Sequence, residues 1–356
     1  MKTIEILTQE AIALLKALIE TPSFSSEEDQ TALLIESWFT QNGIPVQREN
    51  NNVWAFNHHF DKSKPTLLLN SHHDTVKPNQ GYTNDPFKAI VKEGKLFGLG
   101  SNDAGGCLVS LLATFVHFYQ QENLPYNMIM VASAEEESSG KKGLNSVLQH
   151  LPELDCAIVG EPTLMQLAIA EKGLLVLDVV VKGTASHAAH QNEDNPIYNA
   201  MNVIHWFKTY QFEKISEVLG PVKMTVTQVN AGKQHNVVPA ECHLVVDIRV
   251  TDCYTNAEIL ATVKSHVNAE VNPRSMHLNA SFIPLEHGLV QAGIALGRTT
   301  YGSPTLSDQS VLSCQSLKLG PGETLRSHSA DEFIFINEIE EGIQLYIKIL
   351  TDFFKQ

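Results

Sequence analysis

The sequence predicts an α/β protein in which a helix-flanked, mostly parallel sheet is interrupted by a second, smaller α+β domain. In the first ~170 residues, continuous apolar runs that suit strands buried on both faces alternate with helical patterns. From about Leu174 the order changes to β-α-β-β-α-β, which is the ferredoxin-like pattern, and buried patterns resume near residue 283. We therefore predict a split domain of residues 1–173 and 283–356, with residues 174–282 as an inserted domain.

Helices and buried strands alternate in the first part of the chain. Apolar residues at helical spacing begin at Ile4, and residues 25–28 resemble a capping box for a second helix that Gly43 would end. A further helical pattern runs from Asp103 to about Tyr119. Buried strands are predicted over residues 66–70, 128–132 and 156–160.

The inserted domain is predicted from its alternating strand and helix patterns. The expected strands are residues 174–181, 222–229, 242–250 and 276–282, and the expected helices are residues 196–210 and 256–267. After it, apolar patterns at residues 285–296 and 316–319 and an amphipathic helix over residues 336–354 return the chain to the first domain.

Composition narrows the class of protein and of partner. A chain of 356 residues with 43% hydrophobic and 18% charged residues is typical of a globular protein of about two domains. The net charge is -15 and the chain has no Lys/Arg run, which argues against nucleic acid or an anionic membrane surface as a partner.

The location of the protein is predicted from its cysteines and its hydropathy. The five cysteines are scattered, odd in number and without C-x-x-C spacing, which favours a reducing cytoplasm. The N-terminal apolar pattern is interrupted by polar residues, unlike a signal peptide, and no run approaches the roughly 18 apolar residues of a membrane span.

Acidic and histidine residues come directly after predicted strands or at the start of a predicted helix. They are His72, Asp74, Asp103, residues 135–137, Glu161 and His328. Ligands gather at the carboxyl ends of strands in open α/β sheets, so we expect these side chains to converge. Two imidazoles with three or more carboxylates form a mixed nitrogen and oxygen site, which suits zinc, cobalt or manganese.

The spacing of His72 and Asp74 adds a second indication of a metal site. Residues two apart share a face of an extended strand. The Asp74 carboxylate can then accept the free ring N–H of His72, which is the usual support of a metal-bound imidazole.

The order of these motifs resembles that of the di-zinc aminoacylase/carboxypeptidase G family, which includes acetylornithine deacetylase and succinyl-diaminopimelate desuccinylase. The matching segments are residues 71–76, 100–106, 133–137, 159–163 and 319–332. The resemblance covers essentially the whole chain, including the inserted domain. It implies a zinc-peptidase-like catalytic domain and an inserted lid or dimerisation domain.

The resemblance implies a role for each residue of the predicted centre. His72 and Glu161 would hold one divalent ion, Glu137 and His328 the other, and Asp103 would bridge both. Zinc is the first choice of metal, with cobalt or manganese as alternatives. Asp74 would orient His72, and Glu136 would be the general base, although a shift of one residue within the three consecutive glutamates stays open.

The inserted domain also carries polar segments that resemble family motifs. Residues 183–187 resemble a segment whose histidine reaches the partner subunit's active site, so His187 is implied to stabilise the oxyanion in a homodimer. Asn236 and Arg249 resemble residues that hold the substrate carboxylate, a task that suits a guanidinium fork. A surface charge on a strand is the equal alternative for Arg249.

The resemblance implies metal-assisted hydrolysis of the amide bond of a small N-acyl amino acid. N-acetylornithine, in arginine biosynthesis, is the first candidate. N-succinyl, citrulline and acyl-lysine variants stay open, as do a di- or tripeptidase and succinyl-diaminopimelate desuccinylase. A serine hydrolase is disfavoured because the chain has no G-x-S-x-G segment, and a non-catalytic relative because every predicted ligand and the base are present.

Overall fold

The computed structural model describes residues 2–355 and divides the chain into two compact units. The outer unit runs up to Ile169 and also contains residues 282–301 and the chain from Ser307 onward. The inserted unit contains residues 170–281 and also residues 302–306, a short segment that the sequence did not indicate.

Eight α-helices and eighteen strands occur within the described residues, and we number each in chain order. The helices are α1 Ile4–Ile19, α2 Asp29–Gln41, α3 Gly106–Phe118, α4 Leu144–Leu148, α5 Pro196–Thr209, α6 Asn256–His266, α7 Gly288–Ala295 and α8 Ile336–Phe353. The strands are β1 Gln47–Glu49, β2 Asn52–Phe56, β3 Thr66–His72, β4 Ile90–Lys92, β5 Lys95–Phe97, β6 Asn127–Ser133, β7 Cys156–Val159, β8 Leu167–Glu171, β9 Gly173–Lys182, β10 Ser186–His187, β11 Lys223–Ala231, β12 Val237–Val238, β13 Glu241–Val250, β14 Glu270–Pro273, β15 Ser281–Phe282, β16 Thr300–Ser303, β17 Gln315–Lys318 and β18 Phe333–Phe335.

The main sheet of the outer unit is mixed, with a parallel centre. Its strand order begins β1-β2-β6-β3-β7-β17-β8. The four central strands β6, β3, β7 and β17 are parallel, whereas β1, β2 and β8 join antiparallel. Leu67, Leu68 and Leu69 of β3 are all fully buried, as expected for a strand covered on both faces. These features confirm the predicted α/β fold class.

Three helices of the outer unit pack against one another. Helix α3 contacts α1 and α8 and is apolar on nearly all sides, because it lies between them and the sheet. Helix α8 is amphipathic and places Tyr346 in the core, where its hydroxyl donates a hydrogen bond to the carbonyl of Leu319. This bond ties α8 to the segment after β17, which leads to His328.

Two local predictions for the outer unit are wrong. Glu28 is the N-cap residue of α2 and makes no side-chain capping bond among the described residues, so the predicted capping box does not form. The Ser25 hydroxyl instead donates to the Asp74 carboxylate. The helix predicted from Asp103 begins at Gly106, because Asp103 and Ala104 have non-helical backbone angles. The Ser25 side chain thus serves a distant segment and not its own helix.

The inserted unit has the predicted ferredoxin-like topology. Its antiparallel sheet has the order β14-β9-β13-β11 and is covered by helices α5 and α6. The buried side chains of β9 alternate along the strand, so one face forms the core with both helices. Helix α6 has a capping box, in which Thr255 and Glu258 cap each other's main-chain N–H groups.

The last strand of this unit was predicted in the wrong place. We expected residues 276–282, but the fourth strand is β14, Glu270–Pro273. Proline disfavours a central strand because it lacks an N–H group, yet β14 lies at the sheet edge, where that group is not needed.

Among residues 2–355, none of the helices combines the length and the apolar character needed to cross a bilayer.

Candidate metal centre

The carboxyl ends of four parallel strands of the outer unit bring the predicted ligands together. His72 ends β3, Glu136 and Glu137 follow β6, Glu161 follows β7, and the chain after β17 leads to His328. His72 Nε2 lies 3.8 Å from a Glu161 oxygen and 3.9 Å from a Glu136 oxygen. His328 Nε2 lies 3.0 Å from a Glu137 oxygen. These residues therefore converge, as their positions after the strands predicted.

Asp103 lies between the two imidazoles. Its Oδ1 is 3.4 Å from His72 Nε2, and its Oδ2 is 3.6 Å from His328 Nε2. The two oxygens of one carboxylate therefore face different histidines. This is the geometry that a carboxylate shared by two cations requires.

The His72 ring tests whether a metal fits this site. Its Nδ1 lies 3.0 Å from the main-chain oxygen of Asp74, which can only accept a hydrogen bond, so the proton is on Nδ1. Nε2 is buried and has no hydrogen-bond partner among the described residues. A buried, unpaired nitrogen lone pair that faces carboxylates is a suitable metal ligand. The ligand atoms of His72, Asp103 and Glu137 lie within 4.8 Å of one another, as do those of His72, Glu136 and Glu161.

The charges of the centre also favour cations. Burial raises the pKa of Glu136 well above its usual value, and the carboxylates of Glu161, Asp308 and Glu137 raise it further against the opposing effect of His72. Burying several carboxylates together is unfavourable unless cations or donors compensate them. The residues present therefore fit two divalent ions.

Asp74 has a wider role than the one predicted. Asp74 offers two acceptors to the His72 ring N–H. Its main-chain oxygen lies 3.0 Å from His72 Nδ1 and is nearer than its carboxylate, which lies 3.4 Å away. The fully buried carboxylate accepts hydrogen bonds from the main-chain N–H groups of Glu136 at 3.0 Å and Glu137 at 3.1 Å. Asp74 thus fixes the position of the two glutamates relative to His72.

Glu135 is turned away from the centre. It has a left-handed backbone with φ of 54°, and its carboxylate accepts hydrogen bonds from the Ser26 hydroxyl at 2.7 Å and the Lys142 N–H at 3.0 Å. Glu28, which is fully buried, accepts a hydrogen bond from the Glu135 N–H at 3.1 Å. Only Glu136 and Glu137 of the three consecutive glutamates therefore face the ligand groups.

His73 lies outside the centre. Its Nδ1 is 2.9 Å from the Thr31 hydroxyl and its Nε2 is 2.9 Å from the Asn51 main-chain oxygen. Burial lowers the pKa of His73 to about 4, so the ring is neutral at pH 7.

Several buried residues that were not predicted from the sequence also support the site. Asp308 accepts a hydrogen bond from the Ser133 hydroxyl at 2.5 Å, and burial raises its pKa to about 6. Asn102 and Glu332 join the chain segments that carry Asp103 and His328. None of them directly follows a predicted strand, although Asn102 and Glu332 lie within the segments 100–106 and 319–332 that resemble family motifs.

The three predicted residues of the inserted unit do not form one group. His187 in β10 is exposed and lies beside Asn236, whose main-chain oxygen accepts from the Ala188 N–H at 3.0 Å. Arg249 donates two hydrogen bonds to Asp247, at 2.9 and 3.2 Å.

Arg249 is far from the other two because it lies at the opposite end of β13. That strand starts at Glu241, shortly after Asn236, and the eight residue steps to Arg249 span roughly 26 Å. Within one inserted unit, Asn236 and Arg249 therefore cannot hold the same small carboxylate.

An imidazole and carboxylate centre at the carboxyl edge of an α/β sheet defines the class of this protein as a metal-dependent enzyme. The family model described as peptidase family M20/M25/M40 matches residues 68–352, and the chain belongs to this family. The protein is accordingly a metallohydrolase that acts on amide bonds.

Relatives of this chain include two kinds of deacylating enzyme. Succinyl-diaminopimelate desuccinylase 2 of Ruegeria sp. (strain TM1040) is 24% identical over 95% of this chain and 93% of its own length. Acetylornithine deacetylase of Proteus mirabilis (strain HI4320) is 27% identical over 96% of each chain.

Solved structures share the fold. The M20 family metallo-carboxypeptidase Sso-CP2 from Sulfolobus solfataricus has a TM-score of 0.76 at 16% identity and covers 97% of this chain and 99% of its own. Aminopeptidase PepT from Bacillus cereus ATCC 10987 has a TM-score of 0.76 at 17% identity and covers 97% of this chain and 98% of its own.

Proposed function

We propose that this enzyme removes the acyl group of a small N-acyl amino acid, with N-acetylornithine as the first candidate substrate. N-succinylornithine and N-acyl citrulline are close variants, and arginine biosynthesis is the corresponding pathway. The main structural support for this proposal is the position of the Asp103 carboxylate, whose oxygens lie 3.4 and 3.6 Å from the imidazoles of His72 and His328. The similarity to an acetylornithine deacetylase over 96% of the chain supports the choice of substrate.

The five ligand-type side chains would hold two divalent ions, which we propose to be zinc, with cobalt or manganese as alternatives. His72 and Glu161 belong to one ion, Glu137 and His328 to the other, and Asp103 to both. When bound, such ions lower the pKa of a water molecule to around 7 and polarise a carbonyl. Asp74 keeps His72 and the two glutamates in register for this task.

Glu136 is the proposed general base. Its carboxylate is partly buried beside the ligands, and its main-chain N–H donates a hydrogen bond to Asp74. Burial raises its pKa, which suits a group that takes a proton from the attacking water and then delivers it to the departing amine nitrogen.

A desuccinylase is the second candidate, and the relatives favour it equally. Several relatives are succinyl-diaminopimelate desuccinylases at 24–26% identity. A di- or tripeptidase is a further alternative, since a tripeptidase from Staphylococcus aureus has the same fold with a TM-score of 0.75.

A panel of substrates tests these alternatives. Protein stripped with a chelator should lose activity and regain it with Zn²⁺ or Co²⁺. We expect the highest kcat/KM for N-acetylornithine, compared with N-succinylornithine, N-acetylcitrulline, N-succinyl-diaminopimelate and simple di- and tripeptides. A clear preference for succinyl-diaminopimelate or for peptides would replace the proposed substrate, and chelator-resistant activity would reject the metal mechanism.

We also infer that the enzyme is a homodimer in which His187 and Asn236 serve the partner's active site. Arg249 lies too far from Asn236 in one chain for both to hold one substrate, whereas residues from two copies can meet. Strand β11 is an unpaired edge of its sheet, and α5 beside it exposes Tyr198 and Met201, by 67% and 64%. An open edge next to exposed apolar side chains is suited to two-fold pairing.

A further inference from the structure

Glu332 binds the backbone that carries Asp103. It lies four residues after His328 and is only 2% exposed. Its Oε1 accepts hydrogen bonds from the main-chain N–H groups of Asn102 at 2.8 Å and Asp103 at 2.9 Å, and its Oε2 accepts from Gly100 at 3.2 Å. One side chain of the His328 segment therefore fixes three residues of the Asp103 segment.

Asn102 makes the reverse connection. Its buried amide accepts a hydrogen bond from the Glu323 N–H at 3.0 Å and donates one to the Glu323 carbonyl at 3.1 Å. Glu323 precedes the short 3-10 turn Thr324–Arg326 that leads into His328. The two segments thus hold each other from both sides of the Asp103 and His328 pair.

A carboxylate is an unfavourable residue at position 332 unless it has a specific role. It is buried near Asp103, another carboxylate, and like charges repel. The three N–H donors, which lie in the turn before helix α3, compensate its charge.

We propose that Glu332 and Asn102 are positioning residues that set the distance between Asp103 and His328 before a metal binds. The centre would then bind its second divalent ion to a preformed pair of ligands without first ordering two loops. This inference rests on the two-ion centre of the proposed function. Partners that orient metal ligands typically contribute 10–100-fold to metal affinity.

The test is the affinity of chelator-treated protein for Zn²⁺, measured by calorimetric titration. Glu332→Ala and Asn102→Ala should each weaken at least one Zn²⁺ step by about 10–100-fold. Glu332→Gln should fall between wild type and Glu332→Ala, because its single oxygen can serve Asn102 and Asp103 while its NH₂ group opposes the Gly100 N–H.

Asn127→Ala is the matched control. Asn127 is also buried. Its side-chain amide accepts a hydrogen bond from the Asp61 N–H and donates one to the Asp61 carbonyl, at 2.8 Å each. It lies at the start of β6, at the opposite edge of the sheet from the metal centre. This variant should lower the melting temperature and leave Zn²⁺ affinity unchanged.

The outcomes separate the inference from the proposed function. Wild-type Zn²⁺ affinity in folded Glu332 and Asn102 variants would overturn the positioning role while the metal centre stands. An equal loss of affinity in Asn127→Ala would also overturn it. If the alanine variants do not fold, Glu332→Gln decides, with reduced affinity as support and wild-type affinity as refutation. Wild-type protein that binds no Zn²⁺ would instead reject the metal centre itself.

Discussion

Three consecutive glutamates of this chain have three different surroundings. Glu135 is turned away from the centre and accepts hydrogen bonds from Ser26 and Lys142. Glu137 lies 3.0 Å from His328, whereas Glu136 lies near His72. The positive φ at Glu135 turns the chain there, so three neighbouring side chains of one type reach three different environments.

Substitution of Glu136 and Glu137 tests which of them is the general base and which is a metal ligand. Glu136→Gln should lower kcat by ~10²–10⁴ and keep both metal ions, because it removes a proton acceptor only. Glu137→Gln should lose about one ion per subunit. Steady-state kinetics and elemental analysis of both variants measure these effects. Loss of an ion from Glu136→Gln, with retention in Glu137→Gln, would shift the assignment by one residue.

Position after a strand was enough to predict that the ligand-type residues converge. His72, Glu161 and His328 each follow a parallel strand, and such strands deliver their ends to one edge. Glu28 and Glu332 could not be predicted in the same way. They bind main-chain N–H groups of distant segments, and no residue type at the other end of these bonds marks them in the sequence.

At the scale of the element, the same capping signature has opposite outcomes in two helices. Thr255 and Glu258 form a capping box at the start of α6. Ser25 and Glu28 have the same spacing before α2, but Ser25 donates to Asp74 and Glu28 accepts from Ser26 and Glu135. The signature names side chains that can cap, and competition from the buried Asp74 and Glu135 decides whether they do.

Alanine substitution at these two positions should separate stability from activity. Thr255→Ala should lower the free energy of unfolding by about 1 kcal/mol and leave kcat unchanged, because it removes a helix cap. Ser25→Ala should lower kcat/KM or metal affinity by about 10-fold, because it removes a bond that orients Asp74. Urea unfolding and kinetics check both variants, and each serves as control for the other. A Ser25→Ala variant with full activity and a loss of stability would restore the capping assignment.

The fourth strand of the inserted unit, which lies at an edge of its sheet, was predicted in the wrong place. Residues 270–273 were not predicted as a strand, and β14 can include Pro273 because its free edge needs no N–H donor there. The central strands β3, β6 and β7 were located to within a few residues, because burial on both faces leaves a continuous apolar run.

At the scale of the whole molecule, the inserted unit presents its predicted active-site residues at two opposite ends. His187 and Asn236 lie near the start of β13, and Arg249 lies near its end. This separation is the physical basis for proposing a dimer. The cytoplasmic location, which rests on the cysteine pattern, stays a prediction.

Mixing two inactive variants tests the dimer. His187→Ala should lower kcat by ~10²–10³, the effect of losing one oxyanion donor, without loss of metal. Subunits of His187→Ala exchanged with subunits of Glu136→Gln should recover part of the activity, because one site of the mixed dimer has both groups. Each variant mixed with itself is the control. A verified mixed dimer without recovered activity would contradict the contribution from the partner.

The wide separation of the predicted ligands along the sequence has a consequence for the synthesis of the protein. Ribosomes add roughly 5–20 residues per second, and domains generally fold as units, N-terminal ones first. His72 and Asp103 therefore emerge well before His328 and Glu332, and the whole inserted unit is translated between them. During this interval the nascent chain holds its early carboxylates without the residues that follow the inserted unit. The proposed two-ion site can be complete only after the segment that carries His328 has been translated, so both ions would be held only once the inserted unit has been made.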